Sequence, residues 1–106
     1  VMLKLLRIQG RSMLPTLPPD TYVLVATFPF LSISLNDLVV VNTAQYGVIV
    51  KRVLAVDSSK TTFYLCGDNI AESVSSNQIG PVSKAEVLGK VIWFKKPPRT
   101  ALDYLT

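Results

Sequence analysis

Six short runs rich in β-branched and aromatic residues, with turn-forming clusters between most of them, constrain this chain more than any other feature of its sequence. The runs cover residues 3–9, 22–26, 38–42, 47–56, 62–66 and 87–94, and their apolar residues recur with the period of two that marks strands. Clusters of Pro, Gly, Ser, Asn and Asp at 15–20, 32–37, 57–60 and 67–81 separate them. Helix signals are weak throughout. The pattern predicts an all-β fold, a small barrel or sandwich with long loops. A chain of 106 residues supports one hydrophobic core, so we read a single domain over 1–106. Pro97-Pro98 ends its compact part, and 96–106 reads as a C-terminal tail.

Composition narrows the chemistry. With 49% hydrophobic and 17% charged residues the chain is too apolar for disorder. It contains no histidine, which rules out a Ser-His-Asp triad, a Cys-His pair and a His-rich zinc site. Lysine, carboxylate or tyrosine remains as a general base. No metal and no cofactor is expected. The single cysteine, Cys66, cannot form an internal disulfide.

No apolar run reaches 18 residues, and the most hydrophobic stretch, 22–31, is interrupted by Pro29, so no membrane span is expected. The opening segment carries Lys4 and Arg7 within a short apolar run and reads as a strand, not a signal peptide. Net charge is +4, clustered only at Lys95, Lys96 and Arg99, which reads as a solvated tail; no nucleic-acid partner is expected.

Two residues stand out as a nucleophile and its base. Ser12, in Gly10-Arg11-Ser12-Met13-Leu14-Pro15-Thr16-Leu17, follows the first strand where a turn begins, a place that exposes a hydroxyl on a rigid support. Gly10 there allows close approach of another backbone, and Pro15 stops any regular element. By itself the serine also reads as a turn cap. Lys51 lies within a long strand, on the face shared by Ile49, Val53 and Ala55, while Arg52 points the other way among Val50 and Leu54. Apolar neighbours disfavour an ammonium and lower its pKa, as a basic lysine requires. The alternative is an edge-strand lysine, or one whose charge snorkels to water. Gly67-Asp68-Asn69 opens the long 67–81 segment, where Asp68 is a partner for Arg52.

Taken together, these blocks resemble the type I signal peptidase family. Ser12 to Leu17 is similar to its nucleophile box, Asn36-Asp37-Leu38-Val39-Val40 to its Gly-Asp-Val-Val strand, and Val50-Lys51-Arg52-Val53 to its lysine box. Gly67-Asp68-Asn69 through Ser73 to Gly80-Pro81-Val82 resembles its last box. The resemblance implies a serine endopeptidase in which Ser12 attacks the scissile carbonyl and neutral Lys51 takes its proton. It also implies that Ser73 orients the lysine and that the Ser12 backbone N–H stabilises the oxyanion, with support from Gly10 and Arg11. Arg52 and Asp68 would form a structural ion pair, and Met13, Pro15 and Thr16 would contact an extended peptide substrate. Gly10 replaces a serine that many members use toward the oxyanion, and Ser75-Ser76-Asn77 replaces a usual Asp-Ser-Arg.

No transmembrane helix or large extra domain of the bacterial enzymes is read in these residues. The small shape most resembles proteases that trim the N-terminal propeptide of nickel-type superoxide dismutase, which implies a protein substrate with an N-terminal leader and a cytoplasmic location. The rival is the catalytic core of a membrane-anchored signal peptidase, for which Phe28-Pro29-Phe30-Leu31 would make peripheral contact with lipid; otherwise that segment is an apolar loop over the core. Two other classes are a self-cleaving repressor domain, with similar Ser-Lys chemistry but no Ala-Gly site ahead of Ser12, and an inactive β-barrel binding module.

Overall fold

The computed structural model describes residues 2–27, 32–69 and 79–98. Its strands are β1 (Met2–Arg7), β2 (Tyr22–Thr27), β3 (Leu38–Thr43), β4 (Gly47–Val56), β5 (Thr62–Cys66), β6 (Val82–Ser83) and β7 (Val87–Lys95), with a single 3-10 turn at Lys84–Glu86. All seven belong to one antiparallel sheet in the order β1-β2-β7-β3-β4-β5-β6. The fold is all-β, and among the described residues the sheet is open. No helix among them is long and apolar enough to cross a membrane.

The core divides about the central strand β3, because alternate valines face opposite ways. Val39 and Val41 join Ile33, Val53, Phe63, Leu65 and Val82 on one face. Val40 joins Ile8, Met13, Leu17, Val23 and Val25 on the other. Both faces of one strand are therefore buried, which explains its unbroken Leu-Val-Val-Val run.

Three β-bulges interrupt the ladders, and they explain three apolar side chains left in solvent. Across β2 and β7 the partners step from Leu24 with Trp93 to Val25 with Val91, leaving Ile92 extra. Across β3 and β7 Leu88 is extra, and across β4 and β5 it is Leu54. Ile92, Leu88 and Leu54 are 51%, 43% and 55% exposed. A bulge bends its strand and strengthens the local twist.

The Leu54 bulge corrects one expectation. Lys51 shares its face with Ile49 and Val53, but not with Ala55: the extra residue reverses the phase, so Ala55 pairs with exposed Tyr64 while Val56 packs on the core. The first strand also stops at Arg7 instead of residue 9. Ile8 leaves the ladder but keeps two backbone hydrogen bonds, its N–H donating to Thr21 O and its carbonyl accepting from Asp20 N, both at 2.8 Å. The 67–81 segment is followed by a short strand not foreseen, Val82–Ser83, paired with Thr62 and Phe63. Lys96 to Pro98 carry no regular element, and 99–106 lie outside the described residues.

Candidate active site

The loop after β1 is held by its own apolar residues. Met13 and Leu17 are 2% and 0% exposed and form part of the Val40 core, so the segment that follows Ser12 is anchored in the interior. Burial of each contributes about 1.5–3 kcal/mol. Backbone hydrogen bonds from Leu14 N to Arg11 O at 3.2 Å and from Leu17 N to Met13 O at 2.8 Å close the turns between them. Gly10 enters this loop at φ +80, with nothing within 4 Å of where a Cβ would stand. Its role is therefore the left-handed backbone, not the close approach of another chain segment.

Ser12 lines a cleft of about 260 Å³. Leu6 and Arg7 line it from the end of β1, Ile8 and Gln9 from the segment just after it, Val48, Ile49 and Val50 from the start of β4, and Met13 completes it. Both strands carry an unpaired edge among the described residues. β1 pairs only with β2, and β4 pairs with β5 only from Arg52 onward, leaving Gly47 to Val50 without a partner on that side. Pro15 and Thr16 do not line this cleft.

Lys51 follows these β4 residues directly. It is 2% exposed and stands opposite Val39 in the ladder, on the face that carries the Val39 core. Burial pushes its pKa below that of an ordinary lysine, with nearby Cys66 acting the other way. Its unprotonated form is thus more accessible near neutral pH than that of a solvated lysine.

One short turn, Gly67-Asp68-Asn69, ties the serine loop to the lysine strand. The Arg52 guanidinium grips Asp68 with both arms, Nε to Oδ1 at 2.8 Å and a terminal nitrogen to Oδ2 at 2.7 Å, and its remaining nitrogen donates to Asn36 O at 2.8 Å. Those hydrogen bonds raise the Arg52 pKa, and they hold the Asp68 carboxyl below the usual range. The Thr16 hydroxyl donates to Asp68 Oδ2 at 2.5 Å, so this side chain also takes part in the staple. Asn69 completes it, its backbone N–H donating to Ser12 O at 2.9 Å and its side-chain amide to Arg11 O at 3.0 Å. Sequence reasoning gave Asn69 no role of its own, since its partners lie more than fifty positions away. Arg11 is exposed, and Ser73 and Ser75-Ser76-Asn77 lie outside the described residues, as do Phe28 to Leu31. Among the described residues no group of three or more Cys, Asp or Glu is placed to hold a metal ion.

A family model described as Peptidase S24-like matches residues 2–92, most of the chain. No curated protein matches it.

Proposed function

This chain belongs to the Peptidase S24-like family, and from that premise we propose that it is a serine endopeptidase with Ser12 as nucleophile and Lys51 as general base. The observation that carries the reading is a lysine 2% exposed, its pKa lowered by burial, directly following the β4 residues that line a cleft with Ser12. Ser12 Oγ attacks the scissile carbonyl as its proton passes to neutral Lys51 Nζ. The resulting ammonium then protonates the leaving amine as the C–N bond breaks, and water hydrolyses the acyl-enzyme. The Ser12 N–H stabilises the oxyanion. A substrate segment lies extended in the cleft, hydrogen-bonding to the unpaired edges of β1 and β4, which is strand addition from both sides. Ser73 orients the lysine in this proposal, on the strength of the motif resemblance alone.

The same resemblance supports an N-terminal leader as the substrate, with the propeptide of a nickel-type superoxide dismutase as preferred case and the cytoplasm as the place of action. A second reading, cleavage of a segment of the chain's own polypeptide, is favoured by the match to the S24-like description over a signal-peptidase one. Kinetics separate the two: cleavage of a separate leader peptide depends on enzyme concentration, whereas self-cleavage is first order at any dilution.

Ser12→Ala abolishes both cleavage and labelling by a serine-directed probe while leaving the thermal midpoint within a few degrees, because Ser12 is only half-buried and losing one such hydroxyl costs little stability. Lys51→Arg is equally inactive, since a guanidinium stays protonated. Retained turnover in either variant would falsify the Ser-Lys assignment.

A further inference from the structure

Resting on the reading of Ser12 as nucleophile, we propose that Asn69 is a positioning residue that aims the Ser12 N–H at the developing oxyanion. Asn69 holds the two consecutive carbonyls that flank this amide. Its side-chain Nδ2 donates to Arg11 O at 3.0 Å, and its own backbone N–H donates to Ser12 O at 2.9 Å. Arg11 O also accepts from Leu14 N at 3.2 Å, so both of its acceptor positions are used.

The Arg11–Ser12 peptide is trans, because among the described residues the cis bond lies at Leu14-Pro15. In a trans peptide the N–H points opposite to the carbonyl. Fixing Arg11 O toward Asn69 and Leu14 therefore turns the Ser12 N–H away from both. Among the described residues that N–H has no acceptor.

Two further observations give this clamp its importance. Gly10, one residue before Arg11, has φ +80 and open space around it, so packing does not restrain the peptide on that side. Gly10 also offers no hydroxyl, which leaves the oxyanion to a backbone donor whose direction must be set beforehand. Asn69 can set it because its neighbour Asp68 is fixed to Arg52 on β4 and to Thr16 on the serine loop.

The test compares Asn69→Ala, Asn69→Asp and Asn69→Gln with the unaltered chain. The readout is the second-order rate at which an alkyl fluorophosphonate labels Ser12, followed by intact mass. In that reaction the Ser12 oxygen displaces fluoride at phosphorus, and the phosphoryl oxygen occupies the oxyanion position. Asn69→Ala slows labelling about 10- to 100-fold, somewhat less than outright removal of an oxyanion donor. Its pH dependence stays that of the unaltered chain, because the base is untouched. Asn69→Asp is slower still, with a carboxylate oxygen facing the Arg11 carbonyl, and Asn69→Gln recovers part of the rate by keeping an amide donor.

A purely structural role would lower the thermal midpoint of all three variants and leave rates taken well below it unchanged, which overturns the proposal. So does a rate loss that comes with a shifted pH dependence, since the effect would then run through Lys51. If Asn69→Ala fails to fold, the order of Asp below Gln decides on the same readout. Undiminished labelling in the Asn69 variants, with Ser12→Ala unlabelled, removes the role of Asn69 alone; an unaltered chain that takes no label at Ser12 removes the Ser12 reading with it.

Discussion

Under the proposed mechanism, Lys51 is the residue where stability and chemistry pull in opposite directions. The residue is 2% exposed, opposite Val39 in the ladder, and burial lowers its pKa, so the folded state disfavours the charged form. The unfolded chain, with an ordinary lysine, binds the proton more tightly than the native one. Stability therefore rises with pH between the lowered native pKa and the unfolded value, and the penalty is complete below both. Replacing the lysine by an apolar side chain of similar length removes that penalty. Lys51→Met raises the denaturation midpoint near neutral pH by about 0.5–2 kcal/mol, the usual gain when a destabilised site residue is released. Its stability should also lose the rise with alkaline pH that the unaltered chain shows. Urea titrations from pH 6 to pH 10 check this, and a Lys51→Met variant less stable than its parent across that range would mean that what the amine gains from its surroundings outweighs its desolvation. With Lys51 as the proposed base, the same titration would govern cleavage, which should then rise with pH as the amine becomes neutral.

At the level of strands, β7 shows what a pattern of residue types conceals. Gly89 faces Val40 in the β3 ladder, and a Cβ there would stand 2.4 Å from Val25 Cγ1 and 2.7 Å from the Ala26 carbonyl oxygen. The valine side chain can turn aside, but the β2 backbone cannot do so without disturbing its own pairing. Gly89→Ala is therefore destabilising by about 1–3 kcal/mol, as overpacking of a tight core site usually is; a chemical denaturation midpoint unchanged by that substitution would show that β2 and β7 can part at no cost. The strands themselves were legible in the sequence, because β-branched runs and turn clusters are local signals, and β4 and β5 have the bounds they suggest. The bulges were not. Leu54, Leu88 and Ile92 look like ordinary members of an alternating run, and only the partner strand makes each one the extra residue. A two-residue strand such as Val82–Ser83 is too short for any period to register. In the candidate site, Ser12, Lys51, Arg52 and Asp68 were picked out because their residue types suit a known chemistry. The part played by Asn69 was not legible, since it depends on two hydrogen bonds to the Arg11-Ser12 segment that no local pattern encodes.

In the molecule as a whole, two apolar clusters share one central strand, and that arrangement decides how it unfolds. Val39 and Val41 serve one cluster and Val40 the other, so losing β3 opens both at once. The candidate site spans the same junction: Met13 and Leu17 anchor the serine loop in the Val40 cluster, while Lys51 lies on the face of the Val39 cluster. Were the two halves independent, the serine loop and the lysine could separate without global unfolding. A shared strand makes them cooperative, which suits a site needing fixed geometry. Val23→Ala removes two methyl groups from the first half and Val53→Ala from the second, each at a position 0% exposed, with a cost of about 2 kcal/mol apiece. Trp93 fluorescence reports on β7 beside β2, and the reactivity of the Cys66 thiol reports on β5. Both probes should give one transition in urea, and either substitution should move them together by the same amount. If Val23→Ala shifted the Trp93 transition and left Cys66 protected to the original midpoint, the halves would be separate folding units, and the Arg52–Asp68 staple would have to hold serine and lysine in register by itself.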